Sequence, residues 1–247
     1  MSIHDELIST YNSNHYDDYM PKNEQEWEAV IDRLEVNFSK HLQKIKKDDK
    51  LLDLPCGVGY LLHFLIHKGF TNIAAVDLSE EQVNQAKNLL SERNMDFTDK
   101  IKFEIEDAFS HLITNNKYKA IFLIDILEHF DRDRGADLIK ACLSSLEPGG
   151  LLFIRTPNAE TPMFGRFYND LTHITPYTVR SIKQLIQTCS LEIIDIDYEK
   201  IPYPRESPSI LKQLKRIAYE ISQSILAKIL GLKKEAFSEN IYCVCKK

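Results

Sequence analysis

The chain has 247 residues, 43% of them apolar and 28% charged, with 31 basic against 37 acidic side chains and a net charge of −6. That is enough apolar material for one sizeable core, and eight Gly with nine Pro exclude a low-complexity or collagen-like chain. The acidic balance also excludes a protein whose main task is coating nucleic acid, which needs a basic excess to displace counterions.

The five cysteines (Cys56, Cys142, Cys189, Cys243 and Cys245) are odd in number and scattered, and no Cys or His cluster stands at ligand spacing. A reduced compartment is expected, with no disulfide framework, no structural zinc and no metal site. The N-terminal stretch Met1-Ser2-Ile3-His4-Asp5-Glu6 has neither a basic start nor a following apolar segment, and no apolar run approaches 18 residues. A cytoplasmic protein without a membrane span is the expectation.

In chain order, residues 24–45 read as an amphipathic helix, with Trp27, Val30, Ile31, Leu34 and Phe38 near one face and Arg33 turned away from that stripe. From about residue 50, short β-rich runs alternate with helical patterns, which implies a parallel sheet covered on both faces. Strands are predicted at 50–55, 73–77, 101–105, 119–125, 151–155, 193–198 and 241–246. Helices are predicted at 60–67, 79–93, 132–146 and 176–189, the last with Thr175 as N-cap and Pro176 in the first helical position. Residues 201–240 break the rhythm. They open with Pro202, Pro204 and Pro208, then pattern as a helix over 209–231 with Leu211, Leu214, Ala218, Ile221, Ile225 and Ile229 at three- and four-residue steps.

The strongest chemical signal is Leu51-Leu52-Asp53-Leu54-Pro55-Cys56-Gly57-Val58-Gly59-Tyr60, a strand running into a Gly-containing turn that feeds a helix. Glycines there let backbone pass close under a ligand, and the helix start offers free N–H groups. Asp77 ends the next strand, where a carboxylate can accept both hydroxyls of a ribose. A dinucleotide fingerprint wants a third Gly where this chain has Leu62. Asp53, inside the strand, would repel a pyrophosphate and suits a ligand that carries an ammonium group.

On these residues the chain resembles the class I S-adenosylmethionine-dependent methyltransferases from about Trp27 onward, with Pro55 where the family usually has Gly. The resemblance implies a Rossmann-like α/β fold: a seven-stranded, mostly parallel sheet with helices on both faces, the last strand antiparallel, and a helical insertion between strands 6 and 7. It divides the chain into an N-terminal helical or lid segment (1–49) and a methyltransferase domain (50–247) with the insertion at 201–239. The implied cofactor is S-adenosyl-L-methionine. Asp53, Pro55, Gly57 and Gly59 would line its methionine part, and Asp77 with Leu78 its ribose and adenine. Glu106, Asp107 and Ala108 resemble the adenine-amine contact, and Asp125, Ile126 and His129 the segment that closes over the cofactor. Glu147-Pro148-Gly149-Gly150 resembles a structural turn.

The strings Arg155-Thr156-Pro157-Asn158-Ala159 and Tyr168-Asn169-Asp170-Leu171-Thr172-His173-Ile174-Thr175 are similar to those of bacterial methyltransferases of surface-glycan biosynthesis, and less so to the ubiquinone O-methyltransferases. The implied acceptor is a hydroxyl, in a glycan sugar or a lipid-linked saccharide. A polyprenylated quinone or small hydroxylated metabolite is the rival acceptor, and a non-catalytic nucleoside-binding partner protein the rival class. A sugar hydroxyl barely ionises at neutral pH, so a base is expected, and His173 with Asp170 is the candidate catalytic pair. Their other reading is structural, His173 bonding backbone and Asp170 capping a turn. Arg155, Asn158, Tyr168 and Thr172 are candidate acceptor contacts. Arg33 is left between the cofactor carboxylate and a surface salt bridge, and Tyr11, Tyr16 and Tyr19 between a lid and a flexible tail.

Residues 205–234 carry Arg205, Lys212, Lys215, Arg216, Lys228, Lys233 and Lys234 against Glu206 and Glu220, a local net of +5 that leaves −11 for the rest. Two partners remain open for this segment: an anionic membrane at the inner face, or a sheet-edge or homodimer contact.

Overall fold

A computed structural model describes Pro21 and residues 23–114, 116–162, 165–202 and 210–247, with backbone only at 165, 166, 212 and 216. Tyr11, Tyr16, Tyr19, Pro204, Arg205, Glu206 and Pro208 lie outside the described residues.

The elements in order are α1 (Glu24–Leu42), β1 (Leu51–Asp53), α2 (Tyr60–His67), β2 (Ile73–Asp77), α3 (Glu80–Glu92), β3 (Ile101–Ile105), α4 (Ala108–Leu112) and β4 (Tyr118–Ile124). A 3-10 turn (Leu127–His129) follows, then α5 (Arg132–Ser145), β5 (Leu146–Pro157), α6 (Gly165–Tyr168), α7 (Val179–Thr188) and β6 (Glu192–Tyr198). Last come α8 (Ile210–Leu230), a second 3-10 turn (Lys234–Phe237) and β7 (Asn240–Lys246). The strands form one sheet in the order β3-β2-β1-β4-β5-β7-β6. Pairings among β1 to β5 are parallel, and β7 runs antiparallel between β5 and β6. The seven-stranded, mostly parallel α/β sheet with an antiparallel last strand is therefore the observed fold.

Alternation along the central strands sends neighbouring residues into two cores. Leu52, Ile121 and Leu152 pack under α5 and α7 on one face, while Leu51, Phe122 and Phe153 pack under α1 and α2 on the other. In the second core Phe122 and Phe153 stack at 4.5 Å, and Phe38 of α1 meets Phe153 edge-on at 5.5 Å. Residues 24–42 thus belong to the same packed body as the sheet. Cys243 and Cys245 are buried on one face of β7, with their sulfurs 3.3 Å apart.

Local chemistry moves some boundaries. α7 starts three residues later than Thr175-Pro176 suggests, because Thr178 and Ser181 form a reciprocal capping box. Upstream, Ile174 and Thr175 donate their N–H groups to the Glu128 carbonyl, and Tyr177 makes a β-bridge to Asn158. Proline also disfavours the helical region for the residue before it, here Thr175. Asp107 is the N-cap of α4, a helix absent from the sequence reading, and accepts from the N–H groups of Phe109 and Ser110.

The insertion forms the 21-residue helix α8; among its described side chains only Ala227 is buried, and the helix meets the 3-10 turn at Lys234–Phe237. Ile210, Leu214, Ile217, Ile221 and Ile225 form an exposed stripe along the helix. No described helix is long and apolar enough to cross a membrane.

Candidate active site

The order of the sheet reverses between β1 and β4, and ligands of open α/β sheets bind outside the carboxyl ends of the strands at such a point. A cavity lies there, walled by the turn after β1, the turn after β4, the end of β5, the 170–173 loop and Arg33 of α1.

The β1 wall is built by backbone. Gly57 and Gly59 have φ of 48° and 90°, and Gly59 is the N-cap of α2 with no side chain capping the helix. A Cβ on Gly59 would stand 3.0 Å from that of Ala86 and 3.1 Å from its Cα, so this turn admits only glycine without rearrangement. Asp77 holds the turn from β2, accepting from Gly57 N–H and Ser79 N–H, each at 2.9 Å.

Asp53 lines the cavity and is 1% exposed, and neither carboxylate oxygen has a hydrogen-bond partner. Burial, then the charge of Asp77, raises its pKa well above the usual carboxylate range. A bare buried carboxylate facing a cavity is complementary to a cationic ligand group. Arg33 also lines the cavity rather than turning to solvent, its Nε buried without a partner, and among the described residues its guanidinium makes no ion pair.

The β4–β5 wall is a network of charged groups. Asp125, at a left-handed φ of 52°, is clamped by Arg155 through both Nε and Nη2. Arg155 also faces Glu199 (3.6 Å), which accepts from Asn240 (2.8 Å). Glu128 is fully buried; its Oε2 accepts from the Thr156 hydroxyl (2.9 Å), whereas Oε1 has no hydrogen-bond partner. Burial, then Asp125, raises the Glu128 pKa well above normal.

The 170–173 loop closes this wall. Asp170 Oδ1 accepts from both the N–H (2.8 Å) and the hydroxyl (2.6 Å) of Thr172. With its one hydrogen used there, the Thr172 hydroxyl accepts from His129 Nδ1 at 3.0 Å. Burial, then His173, lowers the His129 pKa to about 4. His173 meets His129 edge-on at 4.9 Å and donates from Nδ1 to the Phe167 carbonyl at 2.9 Å. Its Nε2 stands 3.5 Å from Asp170 Oδ2 and 3.9 Å from Glu128 Oε1.

Of the residues expected from sequence, Asp53, Pro55, Gly57, Gly59, Asp125, His129, Arg155, Asp170 and His173 line the cavity together. Thr172 joins through its hydrogen bonds to Asp170 and His129. Others do not line it. Ile126 packs in the core, and Asn158 is 1% exposed with its amide tied to the Ala236 and Ser238 carbonyls and to Glu160 N–H. Tyr168 is 65% exposed, against Phe167. Asn158 therefore holds β5 to the chain before β7 and has no hydrogen-bonding capacity directed at an acceptor. Asp77, exposed Leu78, Glu106 (Oε2 3.1 Å from His111 Nδ1), Asp107 and Ala108 sit beyond the cavity at the carboxyl ends of β2 and β3. Glu128 was missed, although it lies inside the quoted Asp-Ile-Leu-Glu-His segment. What marks it is burial, which a linear motif does not display.

Fold and site together define a nucleoside-cofactor domain of the doubly wound α/β class. Residues 19–196 match the family model for a methyltransferase domain, and the chain belongs to that family. It is 30% identical over 113 residues to the ubiquinone biosynthesis O-methyltransferase of Coxiella burnetii, a span of 45% of each chain. It is 28% identical over 113 residues to the sphingolipid C9-methyltransferase of Candida albicans, 45% of this chain and 22% of that one. The match thus spans less than half the length of these curated relatives. A SAM-dependent methyltransferase from Archaeoglobus fulgidus shares the fold, with a TM-score of 0.63 at 18% identity over 95% of this chain and all of that one.

Proposed function

We propose that the protein is an S-adenosylmethionine-dependent O-methyltransferase whose acceptor is a hydroxyl of a saccharide, in a glycan or a lipid-linked precursor. The observation that carries this reading is the bare Asp53 carboxylate facing, across one cavity, a cluster of imidazoles and carboxylates able to accept a proton.

S-adenosylmethionine supplies a methyl group already activated on a sulfonium. Asp53 fits its ammonium and Arg33 its carboxylate, while Gly57 and Gly59 let the backbone pass beneath. Asp77 and Leu78 are the proposed ribose and adenine contacts, with Glu106, Asp107 and Ala108 at the adenine end. Family membership supports the same cofactor, and a solved relative in fold, the Synechocystis magnesium protoporphyrin IX methyltransferase (TM-score 0.64, 12% identity), was obtained with bound SAM.

The protein has two further tasks, to hold the hydroxyl oxygen in line about 3 Å from the methyl group and to take its proton, the latter typically accounting for about 10² to 10⁴ in rate. The Asp170–His173 pair is our candidate for the proton. His173 Nδ1 is committed to Phe167, so Nε2 is the ring nitrogen left for proton exchange, and Asp170 Oδ2 stands beside it. Thr172 fixes the loop, and Arg155, paired with Asp125, borders the acceptor side. The polar wall supports a hydroxylated sugar over a flat apolar ring; the Coxiella relative keeps the quinone as the second reading.

The exposed stripe of α8, with Lys215, Lys228, Lys233 and Lys234 nearby, supports peripheral docking on an anionic cytoplasmic membrane face, where a lipid-linked acceptor would lie. A homodimer through the same stripe is the competing use. Radiolabelled methyl transfer to polyprenyl-linked saccharides, with hydroxylated quinone precursors as the comparison, tests the acceptor. Labelling of quinones alone overturns the saccharide reading.

A further inference from the structure

We propose that Glu128, His129 and His173 form a binding site for one first-row divalent cation. Each offers a ligand atom within 4.8 Å of the other two, on the cavity wall. His129 follows Glu128 directly, but His173 is 44 residues further on, so ligand spacing in the sequence did not show the set and no metal site was expected.

Three observations distinguish this cluster from a chance grouping of polar side chains. First, Glu128 is 0% exposed, Thr156 holds one of its oxygens at 2.9 Å, and the other, Oε1, is buried with no hydrogen-bond partner. A native fold rarely leaves a carboxylate oxygen so, unless something binds it. Second, both imidazoles are oriented as ligands are. Metal-binding histidines commonly donate their other ring N–H to an oxygen that fixes the tautomer. His173 Nδ1 donates to the Phe167 carbonyl and His129 Nδ1 to the Thr172 hydroxyl, itself locked by Asp170. Third, His173 Nε2 and Glu128 Oε1 are 3.9 Å apart. Two ligands about 2.1 Å from one ion are about 3 to 3.4 Å apart, so the pair must close by less than about 1 Å.

A second cluster, Glu104, Glu106 and His111, lacks this pattern, because neither of its carboxylates has a buried oxygen without a hydrogen-bond partner. Two imidazoles with a carboxylate suit manganese, cobalt, iron or zinc.

The role of the cation follows from the methyl-transfer reading, on which this part rests. With His173 Nε2 engaged, an open coordination position on the cavity side takes the acceptor hydroxyl oxygen and makes it more acidic. Its O–H bond breaks and Asp170 Oδ2 receives the proton. The oxygen forms the new bond to the methyl carbon as the carbon–sulfur bond breaks, its electron pair remaining on sulfur. The ion changes no oxidation state.

The test is titration of the chelator-treated full-length protein with Mn²⁺, followed by calorimetry and electron paramagnetic resonance, and with Co²⁺, whose visible spectrum reports nitrogen and oxygen ligands. One equivalent is expected to bind. Glu128→Gln and His173→Asn should each weaken binding at least 100-fold, with thermal melts in chelator showing that the variants fold. Should either fail to fold, Thr172→Val, which only removes the group orienting His129 and Asp170, should weaken binding about 10- to 100-fold. The absence of saturable binding up to millimolar Mn²⁺, Co²⁺ or Zn²⁺, or one-equivalent binding that the substitutions leave unchanged, overturns the site. Because binding is read without cofactor or acceptor, a protein that binds cobalt but methylates no saccharide retains this site and loses only the acceptor reading.

Discussion

Replacing Asp53 by Asn should separate two quantities that usually fall together. Asp53 is 1% exposed, both oxygens lack hydrogen-bond partners, and the neighbouring charge that shifts it, Asp77, is also acidic. Its folded-state pKa is raised above the unfolded value, so its contribution favours the fold at low pH and is lost as the pH rises through the raised pKa. Asp53→Asn removes that penalty, and the protein should melt no lower, and at neutral pH higher, than wild type. Cofactor binding should move the other way. The amide keeps one acceptor oxygen but loses the charge that faces the ammonium, and a hydrogen bond to a charged group contributes about 1.5 to 3 kcal/mol. A loss near 2 kcal/mol is about a 30-fold rise in Kd. Wild-type affinity should also weaken as the pH falls towards the raised pKa of Asp53, a step that Asp53→Asn abolishes. Calorimetry with S-adenosylmethionine and thermal melts across pH measure both effects. Unchanged affinity in Asp53→Asn would refute the assignment of this carboxylate to the cofactor.

Asp170→Asn should lower kcat by about 10² to 10³ with cofactor affinity unchanged, because it removes a proton acceptor and not a cofactor contact; stopped-flow or steady-state methyl transfer decides, and a near-wild-type kcat rules out the role. Gly59→Ala forces a φ of 90° on a residue with a Cβ, at about 1 to 2 kcal/mol, and adds a contact at 3.0 Å to Ala86. Urea unfolding should show about 2 to 4 kcal/mol lost, and a loss below 0.5 kcal/mol would mean the turn is built otherwise. Ile217→Ser, Ile221→Ser and Ile225→Ser together should leave stability unchanged, since all three are exposed, yet reduce flotation with anionic liposomes about 100-fold, at about 1 kcal/mol for each half-buried side chain. Equal flotation with and without the substitutions ends the membrane reading, and a wild-type dimer that they dissolve would assign the stripe to self-association.

Local patterns carried most of the fold. The run from Leu51 to Tyr60, with Asp77 twenty residues on, is a contiguous strand–turn–helix–strand unit whose residue types follow from backbone needs and so were legible locally, whereas its place at the switch point comes from the strand order. The boundaries that moved are those where a distant partner decides. Thr175 and Pro176 look like a helix start, but the carbonyl of Glu128 holds the preceding N–H groups and Tyr177 bridges to Asn158. Asn158 has the residue type of a sugar contact, and only its three backbone partners around residues 160, 236 and 238 show that it ties β5 down. Helix phase alone left Arg33 undecided, because the sequence shows which side of α1 is apolar and not that a cavity lies beside it. Glu128 was the largest omission. Its importance comes from a buried oxygen without a hydrogen bond and from histidines brought close by a loop, neither of which has a periodic signature.

The most direct measurement of the central claim is mass-spectrometric detection of methyl transfer from isotopically labelled S-adenosylmethionine to a polyprenyl-linked saccharide by the full-length protein. The account predicts one labelled methyl ether on a sugar oxygen, strongly reduced by Asp53→Asn at limiting cofactor and by Asp170→Asn at saturation. Tight binding of NAD in place of S-adenosylmethionine, or turnover indifferent to both substitutions, would contradict it.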